Sequence, residues 1–411
     1  MKTLEDVRAL DAADPLRGFR DRFDLPDGVI YLDGNSLGAR PKTAAARMAD
    51  VVEREWGQDL IRSWNTNHWM DMPRRLGGKV APLIGAKPEE VVVADSTSIN
   101  IFKALSACIQ LQPERSVILS ETGNFPTNVY MMQGLAAASG GRVEHRLVAT
   151  EDLVDALDET VAALLITQAH YKTGYLHDMQ AITRAAQDKG VLVIWDLCHS
   201  AGALPIDLNG CNADFAVGCG YKYLNGGPGA PAFIFVAERH QDRVMPVLSG
   251  WLGHARPFDF SDIYEPAPGI DRFRCSSPSI LAMASLECGL DIFADTQMTH
   301  IRTKSVALCD LFIEQVEARL AGHGFTLASP REASIRGSQV SFTHEHGYPI
   351  VQALIDRGVI GDYRDPGIMR FGFTPLYVSH EDVWQAVEIL QDIMATRAWD
   401  KPHFHARAAV T

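Results

Sequence analysis

Seven short apolar runs punctuate the chain between residues 91 and 236: Val91–Ala94, Val117–Ser120, Val143–Val148, Ala163–Gln168, Leu192–Asp196, Phe215–Cys219 and Ala232–Val236. Several are apolar without alternation, the pattern of strands covered on both faces. Between them, Ile99–Gln110, Thr127–Ala138 and Met179–Lys189 space their apolar positions as amphipathic helices do. Strand and helix in alternation predict an α/β fold on a mostly parallel sheet, with ligands at the carboxyl ends of the strands.

The pattern changes near residue 290. Ser305–Ala321 predicts one long amphipathic helix, followed by strand-like Phe325–Ala328 and Gln339–Thr343 and a helix over Pro349–Arg357. Further strands are expected at Val359–Tyr363 and Ile368–Thr374, then a closing helix over Glu381–Met394. This mixture predicts a smaller α+β domain. The expected division is an N-terminal segment (1–30) packing with the small domain, a large domain (31–290) and a small domain (291–411).

Composition narrows the partners. The 411 residues carry a net charge of −13, which works against binding a phosphate backbone, so nucleic acid is not expected. Nothing approaches an apolar stretch of about 18 residues, so no membrane span is expected, and the first twenty residues lack the apolar centre of a secretory signal. Seven scattered cysteines with no Cys-x-x-Cys pair fit free thiols in a reducing cytoplasm. No metal site is expected: His344-Glu345-His346 lacks helical ligand spacing, and His403 and His405 belong to the tail. Gly226-Gly227-Pro228-Gly229 does not open a helix after a strand as a dinucleotide fingerprint should.

Two segments carry chemistry together. Asp196 ends a buried strand, with His199 three residues on; a carboxylate there faces the ligand crevice and needs a cationic partner. A cap for the following helix would explain it as well. Lys222 follows the next strand amid aromatics and glycines, where desolvation favours the free amine that Schiff-base chemistry uses; most lysines simply snorkel to the surface. Taken together, an acid and an amine at neighbouring strand ends fit pyridoxal phosphate, the acid on the ring nitrogen and the amine on the aldehyde. Asp95-Ser96-Thr97-Ser98 offers hydroxyls and free backbone N–H groups to a phosphate. Phe125, in Phe125-Pro126-Thr127-Asn128, offers a ring for stacking, and Ser276 and Ser277 offer further donors.

At these residues the chain resembles the kynureninase family, fold-type I pyridoxal phosphate enzymes of the class V aminotransferase group. The resemblance runs nearly end to end. Its blocks are Tyr31–Gly38, Ile61–Asn65, Asn124–Thr127, Tyr171–Gly174, Trp195–Gly202, Tyr221–Gly229, Ser249–His254 and Met369–Tyr377. It implies the fold-type I transferase fold, with a mostly parallel seven-stranded sheet and a smaller α+β C-terminal domain.

The resemblance also implies roles. Lys222 matches the lysine that binds the cofactor's aldehyde, Asp196 the carboxylate on its ring nitrogen, and His199 a ring near its 3-oxygen. Phe125 matches the stacking ring; Thr97, Ser98, Pro126, Thr127, Asn128, Thr167, Tyr221, Trp251 and Ser277 match other cofactor-contacting positions. In the family some of these come from the neighbouring subunit, which implies a homodimer with its site at the interface. Arg370 matches the arginine for the substrate's α-carboxylate, a task suited to its planar fork, and Asn35 and Trp64 match substrate-side positions. Two departures stand out. Asn128 replaces the family's Asp, leaving ring-nitrogen stabilisation to Asp196 alone, and His170 stands where the family more often has Asn.

The implied reaction is hydrolysis of L-kynurenine, or its 3-hydroxy form, to anthranilate and L-alanine in tryptophan catabolism. Lys222 would move the Cα proton and Tyr221 would be the proton donor. A cysteine desulfurase or selenocysteine lyase is the alternative. It needs a nucleophilic cysteine on a mobile small-domain loop, and Cys309 falls inside a helical pattern instead.

Overall fold

The computed structural model describes residues 2–407. All seven runs join one sheet, in the spatial order Val91–Val93, Phe233–Val236, Phe215–Gly218, Leu192–Asp196, Val161–Thr167, Val117–Glu121, Glu144–Val148. Phe233–Val236 is antiparallel to both its neighbours, and the other pairings are parallel. The absence of alternation in the sequence now has its reason. Val193 and Trp195 enter the core on one face of the sheet, while Leu192 and Ile194 enter a separate cluster on the other. The helix Met179–Asp188 packs Ile182 and Ala186 into the first cluster, and Thr97–Leu111 packs Ile101, Leu105 and Cys108 into the second.

The small domain is a four-stranded antiparallel sheet, ordered Thr326–Leu327, Gln339–Thr343, Ile368–Gly372, Asp362–Arg364, backed by helices Met298–Arg319, Gly347–Asp356 and His380–Ala395. Two expectations needed correction here. The long helix begins at Met298, seven residues before Ser305, because Ile301 and Lys304 are also buried. Lys304 is buried there, and its ammonium donates to Asp14 (2.7 Å) and to the Pro375 carbonyl (2.7 Å). The run Val359–Tyr363 is two strands. Val359–Ile360 pairs in parallel with Ile30–Tyr31, and Asp362–Arg364 turns back along Ile368–Gly372.

The N-terminal helix Leu4–Ala13 lies on the small domain. Arg8 pairs with Glu381 (2.9 Å) and Arg20 with Asp382 (2.7 Å), while Asp11 accepts from the first N–H groups of helix His380–Ala395. Helix Ile280–Phe293 runs through the boundary expected at residue 290. Among the described residues no helix is long and apolar enough to cross a membrane, and no cluster of three metal-ligating side chains occurs. All seven cysteines are free.

Candidate active site

Register brings the chemistry together. Thr167 and Asp196 are directly paired across adjacent parallel strands, and Asp196 is in turn opposite Val217, whose strand leads through a short turn to Tyr221 and Lys222. These side chains line a cavity of about 140 Å³ with Ser96, Thr97, Ser98, Phe125, Thr127, Asn128, Tyr171 and His199.

Asp196 is buried with donors aimed at both oxygens. The Cys198 N–H donates to Oδ1 (2.9 Å) and Asn128 Nδ2 to Oδ2 (2.9 Å). The Asn128 amide also reaches Asn124 Oδ1 and Thr167 Oγ1, each at 3.1 Å. The departure from Asp thus turns a second carboxylate into a donor that holds the first one in place. Across the cavity, Lys222 Nζ lies 2.8 Å from His199 Nε2 and 5.6 Å from the centre of the Phe125 ring. Burial, reinforced by the neighbouring Lys222 charge, holds His199 well below the usual histidine range, so it is neutral and accepts from the lysine. Its Nδ1 is buried with no partner among the described residues, as is Asn128 Oδ1. Burial raises the Tyr221 phenol, which keeps its proton.

Local structure supplies the rest. Ser96 caps helix Thr97–Leu111 through Ile99 N (3.4 Å), leaving the N–H groups of Thr97 and Ser98 without helical acceptors at its positive end. Pro126 opens the next helix at a position where its missing N–H costs nothing, and this fixes the backbone behind Phe125. The ring of Tyr171 meets Phe125 edge-on at 5.1 Å. Gly38 lies close beneath the lysine: a Cβ there would sit 2.3 Å from the Lys222 carbonyl. His170 braces the turn before Phe125 through the Gly123 carbonyl and the Thr173 hydroxyl, outside the cavity lining.

Other expected residues sit apart from Lys222 within one chain. Ser276 and Ser277 line an adjoining cavity of about 430 Å³ that shares Ser96, Thr97 and Tyr221 with the first. Trp251 is 40% exposed and meets Trp64 edge-on at 6.4 Å. Arg370 is buried on the small sheet and already engaged. Its Nε donates to Asp362 Oδ1 (2.8 Å), Nη2 to Asp362 and Ser36 Oγ (2.7 Å), and Nη1 to the Tyr171 carbonyl (2.7 Å). Asn35 sits beside it; with its amide turned so that the oxygen faces the guanidinium, that oxygen accepts from Arg370 Nε at 3.2 Å. Sequence reading missed Asp362, Ser36 and Arg364 in this cluster, although Ser36 lay within a block it had singled out.

The walls carry a lysine amine on one side and an aspartate on the other, with a flat ring between them and, among the described residues, unpaired N–H groups at one end. The two orphaned polar atoms, His199 Nδ1 and Asn128 Oδ1, want a polar aromatic neighbour. This set fits pyridoxal phosphate, and with the fold it makes the chain a fold-type I pyridoxal phosphate enzyme. Solved structures agree on the fold. A cysteine desulfurase from Thermococcus onnurineus NA1 superposes with TM-score 0.75 over 96% of this chain and 99% of its own, at 19% identity. A C-DES mutant with glycine covalently linked to its PLP cofactor superposes with TM-score 0.77 over 91% and 99%, at 16% identity.

Sequence relatives are far more similar. Residues 301–390 match the model of the kynureninase C-terminal domain. Kynureninases of Burkholderia mallei (strain SAVP1) and Pseudomonas fluorescens are 56% and 54% identical, each over 416 aligned positions covering 100% of both chains. The chain belongs to the kynureninase family.

Proposed function

We propose that the protein hydrolyses L-kynurenine, and its 3-hydroxy form where the ring pocket admits it, to anthranilate (or 3-hydroxyanthranilate) and L-alanine. The carrying observation is that Lys222 and Asp196 line one cavity in a member of this family. When bound, pyridoxal phosphate supplies an aldehyde for an amine and a ring that takes up electrons from the substrate's α-carbon.

The chain's own groups do the rest. Asp196, steadied by Asn128 and Cys198, would hold a proton on the ring nitrogen, with Phe125 placed to stack on the ring and His199 to approach its oxygen. Thr97, Ser98, Thr127, Thr167, Tyr221, Trp251 and Ser277 complete the cofactor's surroundings. With its amine free, Lys222 would take the Cα proton at Nζ, while neutral His199 accepts a hydrogen bond from that nitrogen. Water adds to the side-chain ketone, the Cβ–Cγ bond breaks with the carboxyl carbon leaving as anthranilate, and Cβ is protonated. Tyr221, which holds its proton, is the donor to Cβ, and Lys222 returns a proton to Cα to give L-alanine. Arg370 and Asn35 orient the α-carboxylate, and Trp64 walls the aromatic ring.

Trp251 and Ser277 act from the second subunit of a homodimer in this reading. The domain division is an N-terminal segment riding on the small domain, a large domain and a small domain. Seven free cysteines support a cytoplasmic location.

The test is anthranilate fluorescence on adding L-kynurenine to the purified protein with pyridoxal phosphate. Lys222→Ala should abolish the signal, and a fully active variant overturns the assignment. A desulfurase reading fares worse: Cys309 is buried within helix Met298–Arg319, where burial pushes its thiol up to about 12. Sulfide release from cysteine outpacing anthranilate release would favour it nonetheless.

A further inference from the structure

Two arginines of the small sheet converge on one carboxylate. Arg370 presents Nε and Nη2 to both oxygens of Asp362, and Arg364 donates to the same Asp362 Oδ2 from its Nη2 at 2.7 Å. Ser36 ties the group together. Its hydroxyl donates to Asp362 Oδ2 (3.1 Å) and accepts from Nη2 of Arg370 (2.7 Å) and of Arg364 (3.4 Å). One buried anion therefore serves two guanidiniums, and one positive charge is left over.

The nearby Asp33 does not fully cancel it. Burial first, then repulsion from Asp362, pushes the Asp33 carboxyl up to about 7, with Arg370 opposing the rise. The surplus has an outlet at Arg364. Its side chain is 40% exposed, while its Nε is buried and finds no acceptor among the described residues. The pair borders the catalytic cavity, because Arg370 Nη1 donates to the carbonyl of Tyr171, which lines that cavity with Lys222. Arg370, by contrast, has spent its Nε–Nη2 fork on Asp362 and one Nη1 hydrogen on Tyr171. It has one hydrogen left, too few for a bidentate grip.

We propose that Arg364 is a second substrate-binding residue, completing with Arg370 the grip on the substrate's α-carboxylate while Asp362 and Ser36 hold both guanidiniums in place. This deepens the proposed function and rests on it for the identity of the substrate. The buried Nε donor is without an acceptor among the described residues, and a guanidinium–carboxylate bond formed away from bulk water is of the stronger kind.

The experiment uses holoenzyme and two small ligands that differ only in the carboxylate, L-alanine and ethylamine. Their binding is read from the cofactor's absorbance, without turnover. Arg364→Gln should weaken L-alanine about 10- to 100-fold and leave ethylamine unchanged. With L-kynurenine the same variant should raise KM by a similar factor and move kcat little. Arg364→Lys, which keeps the charge and loses the fork, should fall between, and it stands in if the glutamine variant melts early. Unchanged L-alanine affinity overturns the proposal, and so does equal weakening of both ligands, which would mark a merely structural role. The outcome is separable from the reaction itself. A wild type that binds L-alanine but releases no anthranilate sinks the proposed hydrolysis and still decides Arg364, whereas a wild type blind to L-alanine sinks both.

Discussion

Asp33 titrates in the range where the enzyme would work. Its carboxyl faces Asp362, Arg364 and Arg370 on the small sheet and Ser36 in its own turn, with the phenols of Tyr31, Tyr223 and Tyr377 nearby. Its pKa of about 7 lies above the ordinary carboxylate value, so it is neutral below that pH and gains a negative charge above it. The new charge competes for the same guanidiniums as the substrate's α-carboxylate. KM for L-kynurenine should therefore rise as pH climbs through about 7, with kcat following a different profile. Asp33→Asn should flatten the KM dependence, and steady-state kinetics between pH 6 and 8.5 would reveal it; a dependence that survives in the variant would point to another group.

At the scale of elements, the turn between strand Val91–Val93 and helix Thr97–Leu111 is held by a buried lysine. Asp95 adopts the left-handed region (φ 51°), which a non-glycine residue enters at a cost. Lys103, nearly two turns into the helix and 3% exposed at its side chain, pairs with Asp95 at 2.5 Å and donates to the Phe273 carbonyl. Cys275 Sγ also meets Asp95 Oδ1, so the clamp joins the helix end bearing Thr97 and Ser98 to the segment bearing Ser276 and Ser277. Removing the lysine strands a partly buried carboxylate, so Lys103→Met should destabilise the protein by about 3 kcal/mol. It should also weaken pyridoxal phosphate more than pyridoxal, because only the phosphate uses that helix end. Thermal melting and cofactor titration of the apoenzyme measure the two effects, and equal losses for both cofactors would argue for a purely structural clamp.

At the scale of the molecule, exposed apolar side chains gather around Trp64 and Trp251. Trp56, Leu60 and Ile61 are exposed near Trp64, which touches Trp251, and Phe258, Phe260 and Ile263 continue the exposed series beyond it. Apolar groups gathered in this way mark an interface, and the proposed homodimer is its expected occupant. Phe260→Asp combined with Ile263→Asp should convert a dimer to a monomer in light scattering and loosen the cofactor. A monomeric wild type would refute the shared site.

How much of this was legible beforehand differs by element. Six of the seven strand runs stood in the sequence to within two residues because strands buried on both faces must be apolar along their length, whereas the edge strand Glu144–Val148 carries exposed Glu144 and His145. The start of helix Met298–Arg319 did not, since Thr299, His300, Arg302 and Thr303 leave Ile301 as an isolated apolar signal. Nor did the break at Gly361, where one apolar run is divided between two partners from opposite ends of the chain. The wide-wound π turn of Val51–Asp59, which carries Trp56, also has no periodic signature.

The local sequence determined which strands form and which acid and amine end them, because periodicity and strand termini are properties of neighbouring residues. Tertiary structure alone decided the company those residues keep. Ser36 meets Arg370 across 334 positions and Asn128 meets Asp196 across 68. Whether a buried charge finds one partner or must share it depends on which distant segments the fold brings to the same few ångströms.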